Sequence, residues 1–497
     1  MDGQLQFIQL EVMVVALGLL VLLADLFLSE SARRSLGWVA AGSLGLVFLL
    51  SFCGGYTSLV DRLVDGSLVD GEPFGGIYRL DGLALFFKRF FLLTAIFVLV
   101  FAVDFASRLR SGVSEYLAFI LFALSGMMFA GSANDFSLLF VAIELITVTF
   151  YILVSFQRHR MHSLEAGVKY LILGAVSSAF LVYGIALVFG EVGSLKFDAI
   201  RAEHAGLLGN NVFLFGMLFV FAGLAFKISA FPFQVWAPDV YQGAPTPTTT
   251  FLAVGSKAAG FVLLIRLFGS AVPALTAQWT GLLMIVAALT ILYGNLCALP
   301  QRNLKRLLAY SGIANAGYLL MGIVAQSDEG TAAILYYLAG YLFTLTAAFM
   351  IVNLITREGE GEDISCLTGL YKRSPFLALT LVLCAVSLAG IPPLAGFFGK
   401  FLLVKSVAAK AFGDAGYFAL LAVAVFGVVV SIYYYFGIIR TIYWSKDTPD
   451  NSPVAIAWPT RFVLGLCVAA ILYLGLRPDK PISWANAAAA KIETVAK

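Results

Sequence analysis

Apolar runs long enough to cross a lipid bilayer recur along the whole chain, and they constrain its fold more than any other feature. A helix needs roughly 20 apolar residues to span the hydrocarbon core. Fourteen such runs lie near residues 7–28, 36–56, 82–105, 115–131, 136–156, 165–190, 212–232, 246–268, 280–300, 304–324, 331–356, 375–410, 416–444 and 460–478. Because the runs are continuous and do not alternate, they predict an all-α polytopic membrane protein and exclude a β-barrel.

The composition agrees with a chain that lies mostly in lipid. Hydrophobic residues make up 61% of the 497 positions and charged residues only 12%, with a mean hydropathy of +0.93. The net charge of +3 is small and the basic residues are scattered, so no nucleic-acid footprint is present and we expect no nucleic-acid partner. The first run lacks the basic start of a signal peptide and is long enough to span.

The cysteines and histidines favour no metal or cofactor site. None of the five cysteines forms a CxxC pair, and there are only three histidines. We find no pattern for an iron–sulfur cluster, a haem or a nucleotide loop. The sequence therefore predicts no cofactor on this chain and assigns any electron transfer to other chains.

The distribution of basic residues predicts the orientation. They concentrate in the odd-numbered loops: Arg33, Arg34, Arg108, Arg110, Arg158, Arg160, Arg302, Lys305, Arg306, Arg357, Lys372, Arg373 and Lys446. The second loop instead carries the acidic residues Asp61, Asp65, Asp70 and Glu72. The positive-inside rule then places odd loops in the cytoplasm and both termini on the opposite side.

Two apolar stretches are interrupted in the same manner. Residues 221–250 and 386–406 each place a lysine beside proline and glycine, which break and relax a helix. Broken helices at corresponding positions of two halves indicate inverted repeats around a midplane ion site. We therefore predict two inverted five-helix repeats, helices 4–8 and 9–13. The predicted parts are helices 1–3 in 1–110, the repeats in 111–270 and 271–445, and helix 14 with the tail in 446–497.

Charged side chains within these runs are the candidate functional residues. A charge at the bilayer centre costs about 2.5–3.5 kcal/mol on insertion scales. Glu144, Lys227, Lys257 and Lys400 all lie deep within runs or beside a break. Alternatives are a neutral carboxyl for Glu144, a purely structural ion pair for Lys227, and snorkelling to an interface for Lys257 and Lys400.

Other charged residues carry weaker signals. Lys169 follows Glu165 by four residues, so a local helical pair accounts for it equally well. We expect interface anchoring for Glu11, Asp25, Lys88, Arg89 and Arg266, which lie nearer the ends of their runs. The series of one acid and several lysines on different helices nevertheless resembles stations of a lateral proton path, because a buried lysine can lose its proton and an arginine stays charged.

Four segments carry a family resemblance. They are FPFQVWAPDVYQGAPTPTTTFLAVGSKAAGF at 231–261, QRNLKRLLAYSGIANAGYLLMG at 301–322, AGIPPLAGFFGKFLL at 389–403 and GVKYLILGAVSSAFLVYG at 167–184. They resemble the antiporter-like membrane subunits of respiratory complex I, most closely the N branch of that family. The resemblance extends over about residues 110–480.

The resemblance implies roles for particular residues. Glu144 and Lys227 are expected to form an ion pair, Lys257 to be the central lysine, and Lys400 to face the neighbouring subunit. Lys400 also argues against the M branch, which typically has glutamate there. Lys169 matches a lysine of the N branch.

Two positions depart from the family pattern. Gln234 and Asn315 stand where many relatives have histidine. Glutamine and asparagine can form hydrogen bonds but carry no proton at neutral pH, which puts a histidine relay at these positions in doubt.

The resemblance implies a proton-translocating subunit of an NADH:quinone oxidoreductase in a membrane, as in the bacterial inner membrane. NADH, flavin, iron–sulfur clusters and quinone would be bound by partner subunits. The partners would be antiporter-like subunit M, small membrane subunits and the lipid bilayer. Alternatives are a subunit of a multi-subunit cation/proton antiporter, a membrane subunit of a related hydrogenase or dehydrogenase, and a scaffold that fills the membrane arm without conducting.

Overall fold

The computed structural model describes residues 4–29, 33, 35–53, 73–356, 362–444 and 453–489. Several residues used for the orientation lie outside this part of the chain: Arg34, Asp61, Asp65, Asp70, Glu72, Arg357 and Lys446. The described secondary structure is helical, with only isolated β-bridges besides.

The α-helices follow one another closely. They are α1 (Gln9–Asp25), α2 (Leu36–Leu50), α3 (Gly82–Phe105), α4 (Val113–Gly131), α5 (Phe136–Val154), α6 (Met161–Val192), α7 (Phe197–Leu207), α8 (Asn211–Ile228), α9 (Trp236–Gly243), α10 (Thr246–Phe251), α11 (Lys257–Ile265), α12 (Pro273–Gln278), α13 (Thr280–Ala298), α14 (Leu304–Val324), α15 (Asp328–Ile355), α16 (Leu370–Arg373), α17 (Pro375–Ala389), α18 (Ala395–Ala411), α19 (Ala415–Trp444), α20 (Trp458–Leu476) and α21 (Asp479–Ala489). Two π-helical turns, Leu252–Ser256 and Arg266–Ala271, join α10 to α11 and extend α11.

The predicted spans are confirmed. Within the described residues, 12 helices are long and apolar enough to cross a membrane, and the shorter apolar helices Leu36–Leu50 and Pro375–Ala389 account for the two remaining runs. The run predicted at 375–410 is two helices, α17 and α18. The predicted break therefore divides this run completely.

The chain forms two compact units. Unit 1 comprises Met1–Ile228, Gly255–Gln278 and Ala487–Lys497, and unit 2 comprises Ser229–Val254 and Trp279–Asn486. Unit 1 thus holds α1–α8, α11 and α12, and unit 2 holds α9, α10 and α13–α20. The repeat boundaries drawn from the sequence stay predictions.

Small residues set the closest helix contacts in unit 1. A Cβ on Gly184 of α6 would lie 2.5 Å from the carbonyl oxygen of Gly216 in α8. Glycine lets the two backbones touch, which matters in lipid because packing, and not burial from water, holds membrane helices together.

Unit 2 uses the same device between α13 and α14. A Cβ on Gly294 would lie 2.3 Å from the backbone nitrogen of Ala314, and one on Gly317 would lie 2.7 Å from Ile291 Cγ1. Any larger side chain at either glycine would force these helices apart.

Both predicted breaks are present. α8 ends at Ile228 and α9 begins at Trp236, and the backbone N–H of Phe231 in the break donates to Thr290 Oγ1 at 3.0 Å, within unit 2. α17 ends at Ala389, and Gly390 follows with φ +84°, a left-handed conformation that favours glycine. Each break leaves helix-end carbonyls that need other donors.

Candidate functional site

Lys227 lies in the last turn of α8, immediately before the first break. Its side chain is only 4% exposed, and Nζ donates to Thr147 Oγ1 on α5 at 2.6 Å. The Thr147 hydroxyl in turn donates to the carbonyl of Ile143 at 2.6 Å. A neutral hydroxyl, and not a carboxylate, is therefore the immediate partner of this buried lysine.

Glu144 lies one turn before Thr147 on α5 and is partly buried. It accepts a hydrogen bond from Ser178 of α6. No ion pair joins Glu144 to Lys227 in the part of the chain described, although Glu144 lies one turn from Thr147, the hydrogen-bond partner of Lys227. The Glu144–Lys227 ion pair that the resemblance implies therefore stays a prediction. In the structure, Lys227 contacts Thr147 instead.

Lys257 begins α11 directly after the first π-helical turn and is 2% exposed. One turn later, Gly260 faces the end of α8. A Cβ on Gly260 would lie 2.6 Å from Ile228 Cγ2 and 3.5 Å from Lys227 Cβ. Within unit 1, α8 therefore contacts α11 near Lys227, and Lys227 reaches α5 one turn from Glu144.

Lys400 lies in unit 2 on α18, after the second break. Nζ donates to the carbonyl of Leu388 at 2.8 Å, and the carbonyl of Ala389 lies at 3.4 Å, so the lysine caps the end of α17. The same Nζ lies 4.9 Å from the centroid of the Tyr318 ring. A Cβ on Gly390 would lie 2.9 Å from Lys400 Cδ, so this glycine makes room for the lysine stem.

Lys169 occupies a different environment. It pairs with Glu165 at 2.8 Å with a four-residue spacing, and the two side chains are 42% and 53% exposed. The local helical pair predicted from the sequence is present on an outer face of unit 1. The structure does not bring Lys169 into the enclosed group around Lys227.

Glu11 and Lys88 form an ion pair in unit 1 that the sequence analysis did not predict. Lys88 Nζ lies 2.8 Å from Glu11 Oε1 and both side chains are 0% exposed. Tyr78 donates to Glu11 Oε1 at 3.0 Å and also receives a hydrogen bond from Lys88. The prediction of interface anchoring was wrong for Glu11 and Lys88. Both side chains are fully buried and contact each other and Tyr78.

Arg266 was also wrongly predicted to be an interface anchor. Its guanidinium is fully buried and binds Asp81 at both oxygens, at 2.6 Å and 2.7 Å. It further donates to the carbonyl of Gly131 at 3.0 Å, and Arg79 lies 3.3 Å from Asp81. Asp81 also caps α3 by accepting a hydrogen bond from the N–H of Ala84. In the sequence, only this place before an apolar helix marks Asp81 as structurally important.

Gln234 and Asn315, the two departures from the family pattern, lie in unit 2. Both are buried, and Gln234 Oε1 and Asn315 Nδ2 have no hydrogen-bond partner of good geometry. Leaving such a group unsatisfied costs about 1–3 kcal/mol. Both positions therefore hold a buried polar group, although neither side chain titrates.

The described residues contain no group of three or more His, Cys, Asp or Glu side chains that could hold a metal ion. The cysteines there are unbridged, with Cys384 and Cys467 buried among apolar side chains. The chemistry of the site thus consists of ammonium, carboxylate, hydroxyl and amide groups, which transfer and orient protons.

Comparison with known proteins identifies the family of the chain. The family described as NADH:quinone oxidoreductase/Mrp antiporter, TM, matches residues 133–431. NADH-quinone oxidoreductase subunit N of Desulforamulus reducens is 37% identical over 490 residues, covering 98% of this chain and 99% of that protein.

Solved structures share the fold. A chain of respiratory complex I from Thermus thermophilus, solved with bound aureothin, superposes with a TM-score of 0.76 at 30% identity, covering 95% of this chain and 98% of that one. A chain of the Mrp complex from a Dietzia species has a TM-score of 0.82 at 19% identity, covering 98% and 97%, and shows the fold alone.

The fold and the buried lysines define an antiporter-like membrane subunit, which is an integral multi-pass membrane protein. Within that class, the chain belongs to the family of NADH-quinone oxidoreductase N subunits.

Proposed function

We propose that this chain translocates protons as the N subunit of complex I, a proton-translocating NADH:quinone oxidoreductase, through Glu144, Lys227, Lys257 and Lys400. Family membership supports the activity of the whole complex. One structural observation carries the residue assignment: the lysines at both helix breaks are buried against neutral oxygen atoms, Thr147 Oγ1 for Lys227 and the α17 carbonyls for Lys400.

Neutral partners matter because they suit both protonation states of a lysine. A hydroxyl or carbonyl oxygen accepts a hydrogen bond from an ammonium or an amine, so no buried charge is stranded when the proton leaves. A carboxylate partner would be left uncompensated, at a cost of several kcal/mol. Lys227 and Lys400 can therefore gain and lose a proton with little rearrangement.

Glu144 supplies the control of this exchange. Glu144 lies one turn from Thr147, the partner of Lys227, so a charged Glu144 would favour the protonated lysine, and a change in the surroundings of Glu144 would release that bias. Quinone reduction in other subunits would deliver the change. Lys227 would then exchange a proton with Lys257 across the α8–α11 contact, and Lys257 with Lys400 through internal water.

The helix breaks would control access from each side of the membrane, because freed carbonyls and glycines allow local rearrangement. Basic loops support the placement of odd loops in the cytoplasm and of both termini on the opposite side. Lys169, which matches a lysine of the N branch and pairs with Glu165, is assigned an accessory role in proton translocation.

Partners follow from the same assignment. NADH, flavin, iron–sulfur clusters and quinone belong to other subunits, and we assign subunit M and the small membrane subunits as neighbours in the membrane. Lys400 would face subunit M.

A gentle detergent pull-down of the tagged chain, with mass spectrometry and an NADH:quinone assay, tests the assembly. Co-purification of NADH-oxidising, iron–sulfur and quinone-site subunits with turnover is expected. Recovery only of antiporter-like membrane chains without redox activity would replace this proposal with a cation/proton antiporter. Recovery of a hydrogenase module would assign a related complex.

A second experiment tests the residues. Complex carrying Lys227→Met or Lys400→Met is reconstituted in vesicles, and proton uptake is measured per NADH oxidised. Both variants are expected to lose this subunit's share of pumping. Full pumping by both variants in assembled complex would support the scaffold alternative instead.

A further inference from the structure

Unit 2 has a cavity that none of the proposed proton carriers lines. Its walls come from α15, α18 and α21, and all of its lining residues belong to unit 2. The cavity encloses about 90 Å³, well below the roughly 300–1,000 Å³ of pockets for drug-sized ligands. It therefore admits a small polar group. Six side chains determine its chemistry: Glu329 and Tyr336 on α15, Leu402 and Lys405 on α18, and Ile482 and Asn486 on α21.

Helix spacing places charges at the mouth of the cavity and apolar groups beneath them. Glu329 lies in the first turn of α15, and Tyr336 follows seven residues later, about 10 Å farther along the same face at 1.5 Å per residue. On α18, Lys405 lies nearer the end of the helix than Leu402 does. The start of α15 and the end of α18 thus bring a carboxylate and an ammonium group to one opening.

The ring of Tyr336 forms a fixed part of the cavity floor. Its hydroxyl donates to the carbonyl of Leu474 at the end of α20, and the side chain is buried. Leu402 and Ile482 add aliphatic surface from the other two helices. The floor therefore offers no charge to compensate those at the mouth.

The two charges at the mouth do not pair with each other. Among the described residues, neither the Glu329 carboxylate nor the Lys405 ammonium has an ion-pair or hydrogen-bond partner, and both residues are exposed. Opposite charges that line one cavity without meeting leave a gap between them. A ligand with one positive and one negative group fits this gap, because it can pair with both charges at once.

The surroundings of the cavity are typical of the level of lipid headgroups. Helix α21 has 11 residues, too few to cross a bilayer, and its Trp484 is 62% exposed. Tryptophan is enriched where the hydrocarbon core meets the headgroups. On α18, Phe401 beside the cavity is 50% exposed and supplies apolar surface that an acyl chain can cover.

We propose that this cavity binds the headgroup of a zwitterionic phospholipid with a primary ammonium group, as in phosphatidylethanolamine. Lys405 pairs with the phosphate, and Glu329 accepts hydrogen bonds from the ammonium group. The amide of Asn486 donates to a phosphate oxygen. The acyl chains lie outside the cavity, along the surface that Phe401 provides.

The charge pattern predicts which lipids the cavity rejects. The quaternary ammonium of phosphatidylcholine has no N–H to donate to Glu329. Phosphatidylglycerol brings no positive charge, so the Glu329 carboxylate stays unpaired beside its phosphate. Free phosphoethanolamine carries both charges but has no acyl chain to cover the apolar flank. This inference goes beyond the proposed function, because lipid binding requires neither proton transfer nor quinone reduction.

The experiment labels the site in assembled complex. Complex in nanodiscs is loaded with phosphatidylethanolamine that carries a photoreactive group near the start of one acyl chain, and labelled peptides are identified by mass spectrometry after irradiation. Glu329→Gln and Lys405→Gln each remove one charge and keep the shape of the cavity. Lys405→Arg keeps the charge. Lys410→Gln is the matched control, because Lys410 lies on the same helix and does not line the cavity.

Peptides from α18 and α21 should be labelled in the unaltered complex. Glu329→Gln and Lys405→Gln should each lower this labelling about tenfold, the loss of one hydrogen bond to a charged group. Lys405→Arg and Lys410→Gln should retain it. Unlabelled phosphatidylethanolamine should compete at about a tenth of the concentration that phosphatidylcholine requires, and free phosphoethanolamine should not compete.

Four results would overturn the proposal. They are equal labelling in Glu329→Gln, Lys405→Gln and Lys410→Gln, equal competition by phosphatidylcholine, competition by free phosphoethanolamine, and no labelling of these helices because a neighbouring subunit covers the cavity. Lys227→Met should be labelled like the unaltered complex whether or not it pumps. Failure of the lipid site and failure of the proton path are therefore separate outcomes.

Discussion

Lys88 and Lys227 are both enclosed lysines of unit 1, but their partners differ. Lys88 lies 2.8 Å from the carboxylate of Glu11 and also contacts Tyr78. Lys227 lies 2.6 Å from the hydroxyl of Thr147, with the carboxylate of Glu144 farther away. The same residue type in the same unit therefore has a charged partner in one site and a neutral partner in the other.

We propose that this difference in partners separates a lysine that holds its proton from one that exchanges it. Removing the charge of Lys88 alone would leave a charged Glu11 without a partner in an apolar interior, so the Glu11–Lys88 contact holds α1 against α3. Lys227 retains a satisfied hydrogen bond in either state. A buried lysine is therefore a candidate proton carrier when its nearest partner is neutral and a carboxylate influences it from a distance.

The largest effect should come from Lys227→Met. This change removes the exchangeable proton but retains an unbranched side chain of similar length. Proton pumping through this subunit should fall to background, while the complex assembles at normal levels. Proton uptake into vesicles and native gels measure these two outcomes. Intact pumping would mean that Lys227, like Lys88, is not needed for proton transfer.

The next largest effect should come from Lys88→Met, and it should be on stability. Breaking the buried pair leaves Glu11 charged without a partner and costs about 3–5 kcal/mol of folding stability. On thermal denaturation of the detergent-solubilised complex, this subunit should therefore be lost at a lower temperature. The double variant Glu11→Leu with Lys88→Met should recover most of that stability. A double variant that assembles but cannot pump would give the pair a functional role.

Thr147→Val should have an intermediate effect. Valine keeps the shape of threonine but cannot accept the hydrogen bond from Lys227. Loss of one such bond to a charged group is expected to slow proton transfer about tenfold. Ser178→Ala, which removes the hydrogen bond to Glu144, is the companion variant, and an unchanged rate in Thr147→Val would mean that Lys227 works without a neutral partner.

The smallest effect should come from Glu165→Gln. Its pair with Lys169 is about half exposed, and an exposed helical pair contributes only about 0.3–0.5 kcal/mol. Thermal stability of the complex should not change measurably, with Lys169→Gln as the partner measurement. A large loss of assembly in either variant would show that a neighbouring subunit covers this pair.

Much of the fold was predictable because hydrophobic run length depends only on local sequence. All fourteen runs contain a helix, and both interruptions, near Pro232 and Pro392, are helix breaks. Proline and glycine act on their own backbone, so their effect is visible without knowledge of neighbours.

The partners of buried charges were not predictable in the same way. Asp81 and Arg266 are 185 residues apart and nothing local connects them. Depth within a run suggested interface anchoring for Arg266 and Lys88, but only packing shows which face of a helix is turned inward.

The sequence by itself determined that this chain is a multi-pass helical membrane protein with two broken helices and lysines beside them. These properties follow from the length and polarity of local segments, which decide whether a segment can span the bilayer. Only the tertiary structure decided which buried lysine faces a carboxylate and which faces a hydroxyl. That choice depends on side chains from helices distant in sequence, and the low dielectric of the interior magnifies the energetic difference between a charged and a neutral partner.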